Sequence, residues 1–214
     1  MKKVLTGLFT IVAFHASWAQ SWVGIDVGVN QSNVYYENSN GEQDKMIKGV
    51  PASYASLYYM HELGNTKKSK KLYDMPDYLL TVEIGYKRAQ SRDSDSNLLN
   101  KWTMDYFSSS IGVRHIVSTK KKIAPFIGAA FSMDWLLSGV QQIGFEQYDL
   151  TTELSQLNLG IVGEGGLKYS INHDVLGTFG VSYTYGISDL EQNEQRSRLS
   201  GFKVGVGIHF LISK

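Results

Sequence analysis

The chain contains no cysteine. Disulfides and thiolate chemistry are therefore excluded, a composition compatible with export but not requiring it. It also lacks a long apolar run. The longest, Val4–Phe14, is too short to span a membrane as a helix, which takes roughly 20 apolar residues. Charge of one sign is missing as well: 21 Lys and Arg face 20 Asp and Glu. That balance does not favour nucleic acid as a partner, because phosphate backbones are held by excess positive charge. Finally, no stretch sustains helical periodicity. Mean hydropathy is slightly negative, but transmembrane barrels escape hydropathy plots because only alternate residues face lipid.

What is present begins at the N-terminus. Lys2 and Lys3 precede the apolar stretch, and Ala16-Ser17-Trp18-Ala19 offers small residues at the positions a leader peptidase reads. This layout predicts a signal peptide over 1–19, cut after Ala19, which would take His15 with it. Loss of the two lysines moves the formal net charge from +1 to −1. The remaining 20–214 is of single-domain size.

Period-two alternation recurs along that domain. Val23, Ile25, Val27 and Val29 share one face of a first strand, and Tyr78, Leu80, Val82, Ile84 and Tyr86 one face of a third. Ile127, Ala129, Phe131, Met133 and Trp135 do so in a fifth. Leu157, Leu159, Ile161, Leu167 and Tyr169 mark a sixth, and Phe179, Val181, Tyr183, Tyr185 and Ile187 a seventh. The eighth is FKVGVGIHF, Phe202 to Phe210, with its large apolar residues on even positions. A second strand near Pro51–Leu63 has aromatics and alanines on both faces. A fourth, Trp102–Val117, changes phase, and a β-bulge near Ser108–Ser110 would restore its facing.

Polar turns at Thr119–Lys122 and Asn172–Asp174 are short. The connections Glu37–Lys48, Ser91–Lys101, Leu137–Glu153 and Asp189–Arg198 are long. Gly64–Asp77 breaks the alternation, and its Lys67, Lys68, Lys70 and Lys71 read as a solvated turn. The pattern predicts an all-β, eight-stranded antiparallel up-and-down transmembrane β-barrel.

The polar faces decide which side is inside. They carry Gly, Ser, Thr and Ala with scattered charges, which suits the crowded lumen of a narrow barrel better than a water-facing surface. Asp26, Glu83, Lys87, Asp105, Arg114, Asp134, Glu164, Lys168, Lys203 and His209 are expected to point inward and pair. Glu164 with Lys168 or Lys203, and Arg114 with Asp105 or Asp134, are the candidate pairs. Tyr35, Tyr86, Trp102, Tyr106, Trp135, Tyr183 and Tyr185 are expected in an interfacial girdle at the long-loop end, Tyr78 and Tyr169 at the other.

Taken together, the signal peptide, the Gly-rich first strand WVGIDVGVNQSN, the strand GVSYTYGIS and the closing FKVGVGIHFLIS resemble the small outer-membrane barrels of Gram-negative bacteria, in particular PorT-like barrels. The resemblance covers nearly all of Ser21–Lys214. It implies an integral outer-membrane protein, inserted by the barrel-insertion machinery, and for some members a part in protein secretion. Two departures stand out: Phe210 is followed by Leu211-Ile212-Ser213-Lys214 rather than ending the chain, and Ser108–Ser110 stands where the family often has proline.

Chemistry is sparse. A hydrolase needs a nucleophile, a histidine base and an orienting acid. His115 and Ser118, three apart, fall on opposite faces of a regular strand. His173 sits in a polar turn, and His209 faces the lumen beside Lys203. No His, Asp and Glu cluster has metal-ligand spacing, and GEGGLK (Gly163–Lys168) lies mid-strand without the helix a phosphate loop needs. No enzyme activity and no cofactor is expected. The alternatives are a lipid- or peptide-modifying outer-membrane enzyme, a small channel, and a secreted lipocalin-like binder of apolar ligands. Leu137–Glu153, the least polar long loop, is where a protein partner would pair, with Ile143, Phe145, Tyr148 and Leu150 extending a hairpin.

Overall fold

A computed structural model describes residues 20–37, 43–63, 78–93, 100–117, 121–190 and 197–213. The leader, the lysines at 67–71 and Ser118 lie outside them. The strands are β1 (Ser21–Glu37), β2 (Gln43–Ile47), β3 (Gly49–Val50), β4 (Ala52–Glu62), β5 (Tyr78–Asp93), β6 (Asn100–Ile116), β7 (Ile123–Ile143), β8 (Glu146–Asp149), β9 (Leu157–Ser170), β10 (Val175–Gly186) and β11 (Ser197–Ser213).

Eight of these form a ring in which each pairs antiparallel with the next: β1, β4, β5, β6, β7, β9, β10 and β11. Pairing of β11 with β1 closes it, with Val27 opposite Val206 and Gly28 opposite Gly205. Closure leaves the ring without an open edge. Ring strands that follow one another in the chain are neighbours in space, so the barrel is up-and-down. The other strands are extensions. β2 adds to the end of β1, β3 to β5, and β8 to β7.

The alternating apolar faces of the first, third, fifth, sixth, seventh and eighth candidate strands all point outward. Val23, Ile25, Val27, Val29, Ile84, Ile127, Phe131, Ile161, Phe179 and the whole Phe202–Phe210 series are exposed. Together they make an apolar belt around a lumen that is polar at mid-height.

Two strands depart from the sequence expectation. β4 is a clean alternation, with Tyr54, Tyr58 and Met60 inward and Leu57 outward. It looked two-faced because its lumen side carries tyrosines. Pro51 separates β3 from β4, as expected of a residue with no N–H to give the ladder.

β6 is unbulged against β5, and its facing never changes. Phe107, Ile111 and Val113 point out, whereas Met104 and Tyr106 are fully buried inside. The irregularity lies on the partner strand. Asp105 pairs with Ser138 and Tyr106 with Leu136, so Leu137 of β7 is the extra residue.

The reason for the misreading is an apolar layer inside the barrel. Val34, Tyr36, Ile47, Ala89, Met104, Tyr106 and Leu199 meet Leu150, Leu154 and Leu190, which fold in from the long loops. A second layer, with Trp22, Met60, Leu79, Ile116, Phe126 and Leu176 among its members, closes the short-turn end. Between the two lies the charged band.

Candidate functional site

Within that band Lys87, Arg114 and Lys203 are each held twice, by a carboxylate and by a tyrosine ring. Lys203 donates to both oxygens of Glu83 at 2.6 and 2.8 Å and lies 4.8 Å from the Tyr54 ring centre. Arg114 grips Glu164 with two parallel bonds, Nε to Oε1 at 3.0 Å and Nη2 to Oε2 at 2.9 Å. Its Nη2 also donates to Tyr58 Oη at 2.9 Å, and the guanidinium lies 4.0 Å from the Phe126 ring centre. Lys87 pairs with Asp134, which also accepts from Ser108, and lies 5.5 Å from the Tyr106 ring. An aromatic face attracts a cation through its quadrupole, and the effect grows when water is excluded.

At the short-turn side of the band, His209 Nε2 stands 3.2 Å from Asp26 Oδ1 and 3.0 Å from Thr178 Oγ1. Both contacts fall on one ring nitrogen. A relay from acid to nucleophile needs both nitrogens, and the ring is fully buried. This is a structural contact, not a hydrolytic site.

The charged band lines a cavity of about 60 Å³, walled by Ser56, Ser110, Ser132, Ser182, Glu83 and Lys203 among others. At roughly 10–15 Å³ per water it has room for a few molecules. The hydroxyls of Ser56, Ser132 and Ser182 have no hydrogen-bond partner among the described residues, and a polar cavity is where such groups meet water.

The structure places the sequence-expected residues as follows. Asp26, Glu83, Lys87, Arg114, Asp134, Glu164, Lys203 and His209 all face the lumen and form the contacts above, and Lys168 is buried on the same side. The pairing differs from expectation: Arg114 takes Glu164, Lys203 takes Glu83, and Lys87 takes Asp134. Asp105 is a correction. It lies on the outer side of β6, paired with Arg88 at 2.7 Å and accepting from Tyr86 and, at 3.2 Å, from Ser138. It marks where the apolar belt gives way to polar surface at the long-loop end. Tyr35, Tyr78, Tyr86, Trp135, Tyr169, Tyr183 and Tyr185 lie on the outer face. Tyr106 and Trp102 do not. Tyr106 is 0% exposed, and Trp102 packs against the same inner layer.

The fold also resembles solved structures. Neisserial surface protein A matches at 15% identity and a TM-score of 0.45, over 89% of this chain and 96% of that one. OprG from Pseudomonas aeruginosa matches at 12% and 0.48, over 91% and 98%. The outer membrane protease OmpT from Escherichia coli matches at 7% and 0.44, over 90% and 97%. No family model and no curated protein matches the chain. The barrel assignment rests on the closed strand pairing itself.

One constellation was invisible in the sequence. Ser21 Oγ lies 2.9 Å from His61 Nδ1, and Tyr59 Oη donates to Ser21 Oγ at 3.3 Å. The pair meets because Ser21 and His61 are opposite each other in the β1–β4 ladder, 40 residues apart in the chain. Ser21 is only 2% exposed, so its hydroxyl is not presented to a substrate. His115 lies against Tyr78 on the outer face, with ring centres 4.7 Å apart and planes tilted by 31°, and His173 is exposed in its turn.

The loop Leu137–Glu153 is a raised hairpin. β7 runs 21 residues, roughly 70 Å at strand rise. Ile143 pairs with Glu146 across a two-residue turn whose Gly144 has φ +61°. Glycine at the first central position is what a type II′ hairpin turn requires. Phe145 at the tip is completely exposed. Below it, Asp149 accepts from Thr151 Oγ1 at 2.6 Å and Thr151 N at 2.8 Å, bonds that hold its carboxyl below the ordinary range. Leu150 and Leu154 then turn inward to the upper layer, so the loop is half cap and half spike.

Proposed function

We propose that the chain is a non-enzymatic integral outer-membrane β-barrel protein of a Gram-negative envelope, exported on a leader cut after Ala19, with a structural or binding and assembly role. One observation carries the reading: an apolar belt faces outward around a lumen in which Lys87, Arg114 and Lys203 each meet a carboxylate, and whose ends are filled by apolar layers. A soluble lipocalin-like binder would put those surfaces the other way round. Outer-membrane lipid and the barrel-insertion machinery are its partners on this reading, and nucleic acid is not. The test is to express the full chain in a Gram-negative host, isolate the outer membrane, and run gels with and without boiling. A compact band that slows on boiling is expected. Recovery in the soluble periplasm without a shift would replace the reading by a secreted binder.

The binding role falls to the hairpin. An assembly role in protein secretion, which the resemblance to PorT-like barrels raises, would use this spike, because β8 pairs only with β7 among the described residues and Phe145 is fully exposed. A photo-crosslinker at position 145 in the native envelope is expected to give a discrete protein adduct, and one at Ile25 in the apolar belt lipid adducts alone. The same adducts at both positions would remove the hairpin as a partner site. Phe145→Ser is expected to leave the gel-shift temperature unchanged, since exposed positions contribute within about ±0.5 kcal/mol.

A further inference from the structure

The short-turn mouth of the barrel holds an acid that the lumen pairs do not use. Glu62, the last residue of β4, is 6% exposed and on the inward face. Its Oε2 accepts a hydrogen bond from the main-chain nitrogen of Gln20 at 3.1 Å, and its Oε1 is buried without a partner among the described residues. In return, Glu62 N donates to Gln20 O at 3.0 Å. Ser21, next in the chain, is fixed by His61 and Tyr59 on the other face of the same strand pair. The position of the Gln20 nitrogen is therefore set by contacts on both sides.

A buried carboxylate is costly without a cation, and one amide N–H satisfies only one of its oxygens. The nitrogen it faces belongs to the residue after the expected cut at Ala19. Uncut, that nitrogen is a neutral amide with a single proton. Cut, it is an ammonium with three protons and a positive charge. We propose that Glu62 is the receptor for the free α-ammonium group of Gln20, so that removal of the leader supplies the cation this acid needs and pins the start of β1 to the end of β4. The proposal rests on the reading that the leader is cut after Ala19. It goes beyond that reading by assigning a binding site to the new terminus.

The test separates the two. Full-length chain is expressed with its leader, the barrel is purified in detergent, and its intact mass is measured. A mass that does not begin at Gln20 overturns the cut, and the clamp with it. With Gln20 confirmed, the α-amine is acylated by an amine-reactive ester at neutral pH. Only neutral amine reacts, so a held ammonium is slow. Labelling at least tenfold slower than in the unfolded chain is expected, with most of that protection lost in Glu62→Gln. Equal rates in wild type and Glu62→Gln would overturn the clamp while leaving the cut in place. So would a terminus already cyclised to pyroglutamate: its amine has attacked its own side-chain amide carbon and expelled ammonia, and it carries no charge.

A second measurement covers a Glu62→Gln chain that fails to fold. Protein made without a leader and refolded as Met-Gln20–Lys214 moves the ammonium one residue, at most ~3.6 Å, away from the carboxylate. Its gel-shift temperature is expected to fall below that of the processed protein. Equal temperatures would overturn the clamp.

Discussion

Arg114→Met lowers the temperature at which the folded band converts on a gel, and does so more than removal of Lys87 or Lys203. Arg114 is 4% exposed, makes the bidentate pair with Glu164, donates to Tyr58 and packs against Phe126. Methionine fills much of the same volume, so the change isolates charge from packing. What it leaves is Glu164, a largely buried carboxylate at the edge of the polar cavity, with its paired cation gone. Breaking one side of a buried pair costs about 3–5 kcal/mol, chiefly through the abandoned partner. Arg114→Met with Glu164→Gln is therefore expected to regain most of the loss, since no buried charge then stands alone. Lys203 and Lys87 have more exposed side chains than Arg114, whereas Arg114 also donates to Tyr58 and lies against Phe126, so its loss removes more than the ion pair. An Arg114→Met barrel that converts at the wild-type temperature would show that the pair contributes nothing net. A double variant no better than the single would show that the cost lies in shape.

That experiment bears on what the sequence makes legible. The inward face of β11 could be read because Phe202, Val204, Val206, Ile208 and Phe210 alternate with Lys203, Gly205, Gly207 and His209. The side of a charge follows from parity, whereas its partner does not. Arg114 and Glu164 are 50 residues apart on β6 and β9, which are not neighbours in the ring, and Lys203 and Glu83 are 120 apart. Such pairs meet across the lumen, and nothing local records them. Parity fails where the lumen itself turns apolar. Met104 and Tyr106 are as greasy as any outward residue, yet they face the leucines brought in by the loops. Reading them as outward put Asp105 inside and called for a bulge at the serines. The tyrosines on the lumen side of β4 misled in the same way. Tyr58 caps Arg114 and Tyr54 caps Lys203, so aromatics served the inside as well as the interface. Alternation separates two faces of a strand, and only a face of uniform chemistry says which one is inside.

Gly28→Val is expected to abolish the compact band altogether, because it acts on the seam that closes the ring. Gly28 of β1 faces Gly205 of β11, and both point into a strongly curved lumen. A Cβ at Gly28 would overlap the Val204 carbonyl oxygen and stand 2.7 Å from the Gly205 Cα and 2.9 Å from the Tyr54 ring. The ring could swing aside. The carbonyl and the Cα are backbone of the paired strand and can yield only if β1 and β11 separate. Opening that seam exposes a row of unpaired N–H and C=O groups on each strand, each costing several kcal/mol away from water, and it frees Lys203 from its seat on Tyr54. Gly163 is the control. It lies on the outer face of β9, where an added Cβ has open space, so Gly163→Val is expected to fold and shift like the wild type. Close backbone approach is thus a demand of the inward face, where Gly85, Gly112 and Gly166 also meet paired-strand carbonyls, and not of every glycine in a strand. A Gly28→Val chain that still gives the compact band at the wild-type temperature would mean that β1 and β11 can slide to a new register. Closure would then be set by strand number and lumen filling, and not by the fit of these two glycines.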